Sequence, residues 1–204
     1  MAAKSRAVYP VRTLLADEGL RAQLVETLSG LRAAFGDTPL VLGLPSPRAM
    51  VTAAWQMAHG ADAAVEVGAD EADSCAVYLA EFLRSFEGCK VDALLLEEPA
   101  GAPAMNAETL EWYQPVLNVA SHYRWDVGLR LPDDVVFEGD ADAVQFAIGA
   151  RAIGGAVHVS CLSEAFWAGQ MPAPVGPGQH HFATVPADAV PETVLARLSA
   201  LRGT

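Results

Sequence analysis

Basic residues are scarce in this chain: 13 Lys and Arg stand against 25 Asp and Glu in 204 residues, a formal charge of −12. Such a surface repels phosphate backbones and anionic lipid, which argues against a nucleic-acid or membrane-surface partner. Long apolar runs are missing as well. None approaches the roughly 20 residues needed to span a bilayer, and Arg12, Asp17 and Glu18 interrupt any signal-type core near the start. The expected location is the cytoplasm. Cysteine is sparse: Cys75, Cys89 and Cys161 are an odd number with no CxxC pair. That argues against a disulfide framework and for reduced thiols. The common catalytic signatures are absent too, with no GxGxxG, no P-loop GxxxxGK, no HExxH and no GxSxG, so the nucleotide, zinc-protease and serine-hydrolase readings lack their motifs. No close repeat, low-complexity tract or Pro/Ser linker divides the chain.

What is present fits one folded domain over residues 1–204. The composition is 52% hydrophobic and 19% charged, enough apolar matter for a substantial core. Leu20, Leu24, Leu28, Leu31 and Phe35 recur at helical spacing before Gly36 and predict a helix over 17–35. A buried strand is expected at 40–44, closed by Pro45 and Pro47, then a helix over 48–59 and a short strand in "AAVEVG". Ala72, Cys75, Leu79, Phe82, Leu83 and Phe86 mark a second amphipathic helix. The next strand is 91–97, followed by a helix capped by Asn106 and kinked or cut short at Pro115. "WDVGLRL" and "DVVFEGD" read as strands, Asp140 as the cap of a helix reaching about residue 153, and "GGAVHVS" and "HHFATV" as later strands. Pro191 suits the first position of a closing helix that Gly203 ends. The recurrent strand, loop, helix order with continuously apolar strands predicts an α/β fold with a mainly parallel sheet.

In such a fold ligands bind where strands end, because the loops there vary without disturbing the core. The run "VDALLLEEPAGAP" ends in two acids, Glu97 and Glu98. Side chains alternate along a strand, so the two acids point to opposite sides and one at most faces a site. The other polar groups at predicted strand ends are Ser46 and Arg48, Arg130 with Asp133 and Asp134, and His158, Ser160 and Cys161. Together they suit a small polar molecule. Glu97, Arg130 and His158 are the candidate catalytic residues, a cation meeting a carboxylate while an acid or imidazole moves a proton. Ser46, Arg48, Glu98, Ser160 and Cys161 are the candidate substrate contacts. Each also has an ordinary structural role: a helix-start or solvated acid for either glutamate, a surface pair with Asp133 or Asp134 for Arg130, a hydrogen-bonded sheet histidine for His158, and a small apolar filler for Cys161. His158 and Cys161 have HxxC spacing, with His180 and His181 downstream, which leaves zinc as a minor alternative to the expected absence of a cofactor.

Four stretches resemble the superfamily that joins uroporphyrinogen decarboxylase and the cobalamin-independent methionine synthases. "TPLVLGLPSPRAMVTAAWQM" resembles the decarboxylases' strand and proline loop entering a helix, and "DALLLEEPA" is similar to the synthases' strand ending in an Asp-Glu-Pro-Ala type sequence. "AIGARAIGGAVHVS" and "FATVPADAVPETVLARL" resemble the late helix and strand and the closing strand and helix of that barrel. The resemblance covers about residues 20–202. It implies a shortened or incomplete TIM-type (β/α) barrel, since a full one needs eight strands and about 250 residues. The synthases' zinc-binding His-x-Cys pair has no counterpart, because "WDVGLRLPDD" offers Arg130 there, and neither has the decarboxylases' arginine-bearing N-terminal segment. The resemblance therefore implies a divergent enzyme acting on a small carboxylate-bearing organic substrate by acid/base chemistry, of lyase or transferase type. The alternative is a non-catalytic ligand-binding module or an accessory subunit of a larger complex. A shortened barrel leaves an open strand edge, expected to be covered by the N-terminal segment or by another subunit in a homodimer or hetero-oligomer.

Overall fold

Residues 4–176 and 178–202 are described by a computed structural model in which helices and parallel strands alternate. Two helices come first, α1 (Lys4–Leu15) and α2 (Glu18–Phe35), the second started by the Asp17 carboxylate accepting from the Leu20 N–H at 2.9 Å and ended at Gly36 with φ of 58°. That sign of φ is the reason a glycine stands there. Strand β1 (Val41–Pro45) leads through the capping residue Ser46 into α3 (Pro47–His59), with Pro47 in the first turn, where its missing N–H does no harm. Helix α4 (Ala69–Leu83) continues as a 3₁₀ turn, Arg84–Cys89, and β2 (Ala93–Glu97) follows.

The middle of the chain holds β3 (Met105–Asn106), α5 (Ala107–Glu111), α6 (Gln114–Tyr123) and β4 (Asp126–Arg130). The expected Asn106 cap is made, its side chain accepting from the Thr109 N–H at 3.0 Å, and the helix is interrupted ahead of Pro115. Then come β5 (Phe137–Glu138), β6 (Phe146–Ile148), β7 (Val157–Cys161), α7 (Glu164–Trp167), β8 (His180–Phe182) and α8 (Pro191–Arg202). Six strands form one sheet in the order β1-β2-β4-β6-β7-β8, every pairing parallel, while β3 and β5 make a small separate parallel pair. The α/β class and the mainly parallel sheet agree with the sequence reading.

Alternation divides the sheet into two faces. Leu94, Leu96, Val127, Leu129 and Ala147 belong to the large core shared with α1, α3, α4 and α6. Leu95, Ile148 and Val159 form a second cluster with Phe146 and Phe182, built of strand residues alone. Burying these apolar side chains stabilises the fold by roughly 1.5–3 kcal/mol for each large one. On the second face the register aligns levels: Gly43, Leu95, Gly128, Phe146 and Val157, and above them Pro45, Glu97, Arg130, Ile148, Val159 and His180. The lower level is filled by Phe146, whose ring lies so close over Gly128 that a Cβ there would sit 2.2 Å from it. Glycine at 128 is therefore a packing requirement.

Several expectations are corrected. Residues 140–153 form no helix. Asp140 instead bridges to Gly154, and Phe146–Ile148 becomes a strand, because β4 and β7 each offer an edge that only a strand between them can satisfy. "AAVEVG" is not a strand. "DVVFEGD" contributes only the two residues of β5, outside the main sheet. The N-terminal segment, expected along the open edge, forms a helix whose principal packing partners are α3 and α4. Gly203 lies outside the described residues. Among those residues no helix is long and apolar enough to cross a membrane.

Candidate functional site

All six strands of the sheet point the same way, so their last residues meet at one rim. Main-chain bonds tie it together: the Ser46 N–H donates to the Glu97 carbonyl at 2.8 Å, Glu98 N–H to Arg130 at 3.0 Å, and Leu131 N–H to Ile148 at 2.9 Å. The next two in the series are Gly149 N–H to Val159 at 3.3 Å and Leu162 N–H to Phe182 at 2.7 Å.

The two adjacent acids part at this rim. Glu98 turns into the helical side, its side chain 0% exposed, and meets Arg48, itself 7% exposed. The Arg48 Nε donates to Glu98 Oε2 at 2.6 Å, the Tyr113 hydroxyl donates to Glu98 Oε1 at 2.8 Å, and Arg48 Nη2 donates to the Pro103 carbonyl at 3.0 Å. Ser46, fully buried, has its hydroxyl 3.4 Å from that of Tyr113 and accepts from the Ala49 N–H at 3.2 Å as the cap of α3. Both carboxylate oxygens of Glu98 are thus hydrogen-bonded, which a buried ion pair needs if removal from water is to be offset. Burial first, and the Glu98 charge second, push the Tyr113 phenol above its ordinary range. It stays a neutral donor.

Glu97 turns to the opposite face, beside Arg130 on the neighbouring strand and in direct register with it. Arg130 Nη1 lies 3.1 Å from Glu97 Oε2, and the side chains are 34% and 41% exposed. The guanidinium also stands over the Phe182 ring, 5.1 Å from its centroid. This contact reaches from β4 to β8 across the two intervening strands and lies above Ile148 and Val159. Beside Glu97 an open groove of about 400 Å³ runs between β1 and α3, lined by Gly43, Pro45, Ala49, Thr52, Glu97 and Pro99 among others.

The sequence candidates therefore fall into separate groups. Glu97 and Arg130 are brought together on the strand-built face, where Cys161 also points, its thiol raised mainly by partial burial and lowered by Arg130. Ser46, Arg48 and Glu98 are brought together in the buried cluster, their polar atoms engaged with one another, with Tyr113 and with main chain. His158 lies on the helix-facing side with Ser160, and its Nε2 donates to the Gly149 carbonyl at 3.0 Å. It is not beside Glu97 and Arg130. Asp133 and Asp134 leave Arg130 to Glu97; Asp134 accepts the Gly101 N–H at 2.7 Å and so holds the loop after β2.

Sequence reasoning missed Tyr113 and Phe182 as members of these groups. Tyr113 carried only its apolar spacing, and nothing local pairs it with an acid 15 residues earlier. His158 and Cys161, three apart on one strand, face opposite ways, so the HxxC spacing does not converge on an ion. Among the described residues no group of three or more His, Cys, Asp or Glu is placed to hold a metal. Comparison of the chain with protein-family models, with curated proteins and with solved structures finds no match.

Proposed function

We propose that the rim around Glu97 and Arg130 is a site for a small carboxylate-bearing organic molecule, and that the protein is an acid/base enzyme of lyase or transferase type. Arg130 receives the carboxylate, for which a guanidinium offers a planar, permanently charged fork. Glu97, on the adjoining strand, is within reach of a proton on the atom next to that carboxylate. The observation that carries this reading is the Glu97–Arg130 pair itself: two charged side chains, accessible, on a sheet face whose interior is apolar.

We infer further that the six strands are an arc of a TIM-type barrel wall. The strand order follows the chain without reversal, the helices of the large core lie against one face, and Arg130 reaches Phe182 across the other. An arc has two edges, β1 and β8, that lack a strand partner among the described residues. A second subunit covering one of them is part of this proposal, with the mass in solution as its check.

A non-catalytic binding module is the second reading, and one observation favours it: the imidazole of His158 sits across the sheet from Glu97, so the site lacks that proton-transfer group. The two readings separate on Glu97→Gln and Arg130→Met. Screening small carboxylates by ligand-observed NMR and by product formation, the enzyme reading expects Glu97→Gln to abolish turnover with binding retained, and Arg130→Met to abolish both. Binding without turnover by the unaltered protein supports the module, and carboxylate binding indifferent to Arg130→Met overturns the site.

A further inference from the structure

The guanidinium that would receive a carboxylate already holds one, that of Glu97. We propose that Glu97 is the built-in occupant of the Arg130 site: an organic carboxylate with an apolar body displaces it, and Glu97 then turns toward Gly43, free to accept a proton. The inference rests on the reading of the rim as a carboxylate site and adds what the ligand must look like and what must move.

Three features support the displacement. Glu97 Oε2 occupies Nη1 of Arg130 at 3.1 Å, so an arriving carboxylate meets a cation already neutralised and a like charge beside it. The two carboxylates therefore oppose each other at one guanidinium. Next, the pair is exposed enough to be exchanged: at 34% and 41% exposure it belongs to the class of ion pairs that water competes for, unlike the enclosed pair at Glu98. Last, there is somewhere for Glu97 to go. Position 43 on the adjoining strand is glycine, where an added Cβ would come 3.5 Å from Glu97 Oε1, and the groove of about 400 Å³ opens beside it. A side chain at 43 would occupy the space into which the carboxylate turns.

The surroundings define the ligand. One face of the guanidinium is against Phe182, and the same level of the sheet continues with Ile148 and Val159. A hydrophilic polyanion would find a single cation and then apolar side chains. A monocarboxylate on an apolar or aromatic body places its charge on Arg130 and its body against Phe182, burying apolar surface as it binds.

Benzoate and acetate serve as probes, followed in 15N-labelled protein by titration of the rim's backbone amides in every variant and of the Arg130 Nε–H resonance wherever Arg130 is present, with the unliganded amide spectrum confirming the fold of each variant. Benzoate is expected to bind more tightly than acetate. Glu97→Gln is expected to tighten benzoate about two- to fivefold, the range that an exposed ion pair contributes, and Arg130→Met to weaken it at least tenfold. Gly43→Ala is expected to weaken benzoate in the native background and to have no effect once Glu97 is Gln, since only the carboxylate's movement is obstructed. If Arg130→Met removes binding while Glu97→Gln leaves it unchanged or weaker, displacement is overturned and the carboxylate site stands. If neither probe moves the Arg130 signal in the native protein or in Glu97→Gln, site and displacement fall together.

Discussion

Glu98–Arg48 and Glu97–Arg130 are the same pair of residue types, their acids adjacent where β2 ends, yet they differ in almost every physical respect. The first is enclosed, 0% and 7% exposed, with Tyr113 donating to the second Glu98 oxygen and the Pro103 carbonyl accepting from Arg48. The second is 41% and 34% exposed, with a groove alongside. A buried pair is held because either partner alone would be a bare charge in a poor solvent. An exposed pair competes with water at every moment and is held loosely. The enclosed pair therefore fixes the end of β2 and the loop to Pro103, and the open pair is the one available to a ligand.

The largest expected effect breaks the enclosed side. Arg48→Met strands the Glu98 carboxylate and is expected to destabilise the fold by about 3–5 kcal/mol in urea denaturation, with Arg48→Met/Glu98→Leu recovering much of the loss. A double variant as unstable as the single one would show that packing, not charge, is what the pair supplies. Tyr113→Phe leaves one Glu98 oxygen short of a donor and is expected to lose about 1–3 kcal/mol by the same measurement. On the open side, Glu97→Gln is expected to change stability by less than about 1 kcal/mol. A loss as great as that of Tyr113→Phe would erase the distinction between the two pairs.

Two smaller tests sharpen it with groups elsewhere. The Leu40 N–H, and after it Arg32, hold the Asp92 carboxyl below its ordinary 3.8. A folded-state pKa below the unfolded value means a contribution present above about 3.8 and lost as pH falls through the lower folded value. Asp92→Asn should therefore lower stability at neutral pH, leave the acid end the less changed, and so flatten the acid limb of the stability profile. Among the thiols, burial pushes Cys75 up to about 12, while Cys161 is exposed and only partly desolvated. A disulfide reagent should label Cys161 first, faster as pH rises, and reach Cys75 only on unfolding.

How much of this was legible in the sequence depends on how local the cause is. The helix over 17–35, the Asn106 cap and the break at Pro115 follow from spacing and from hydrogen-bond chemistry within a few residues, and the structure has them. Residues 140–153 misled because Ala141, Val144 and Ala147 recur at helical spacing, whereas pairing with β4 on one side and β7 on the other determines the outcome. The α1 helix went unread because Pro10 lies inside it. At the rim, alternation alone required Glu97 and Glu98 to diverge. It did not say which turned inward, because "ALLLE" is apolar on both faces and only the packing of the helices distinguishes them. The placement of His158 opposite Arg130 had the same origin: parity is local, but the phase between strands is set by register.

That register runs through a sheet in which each strand lies beside the one made just before it, with no reversal in the order. A chain emerging from synthesis can thus lay each new strand against an edge already formed, and never has to insert one between two older neighbours. The side chains of the enclosed Arg48–Glu98–Tyr113 group are all made before β4, so they can meet early, and the Glu98 N–H and the loop at Gly101 gain their Arg130 and Asp134 partners afterwards. The meeting of those side chains would then precede that of Arg130 with Phe182, whose ring is supplied by the last strand to arrive.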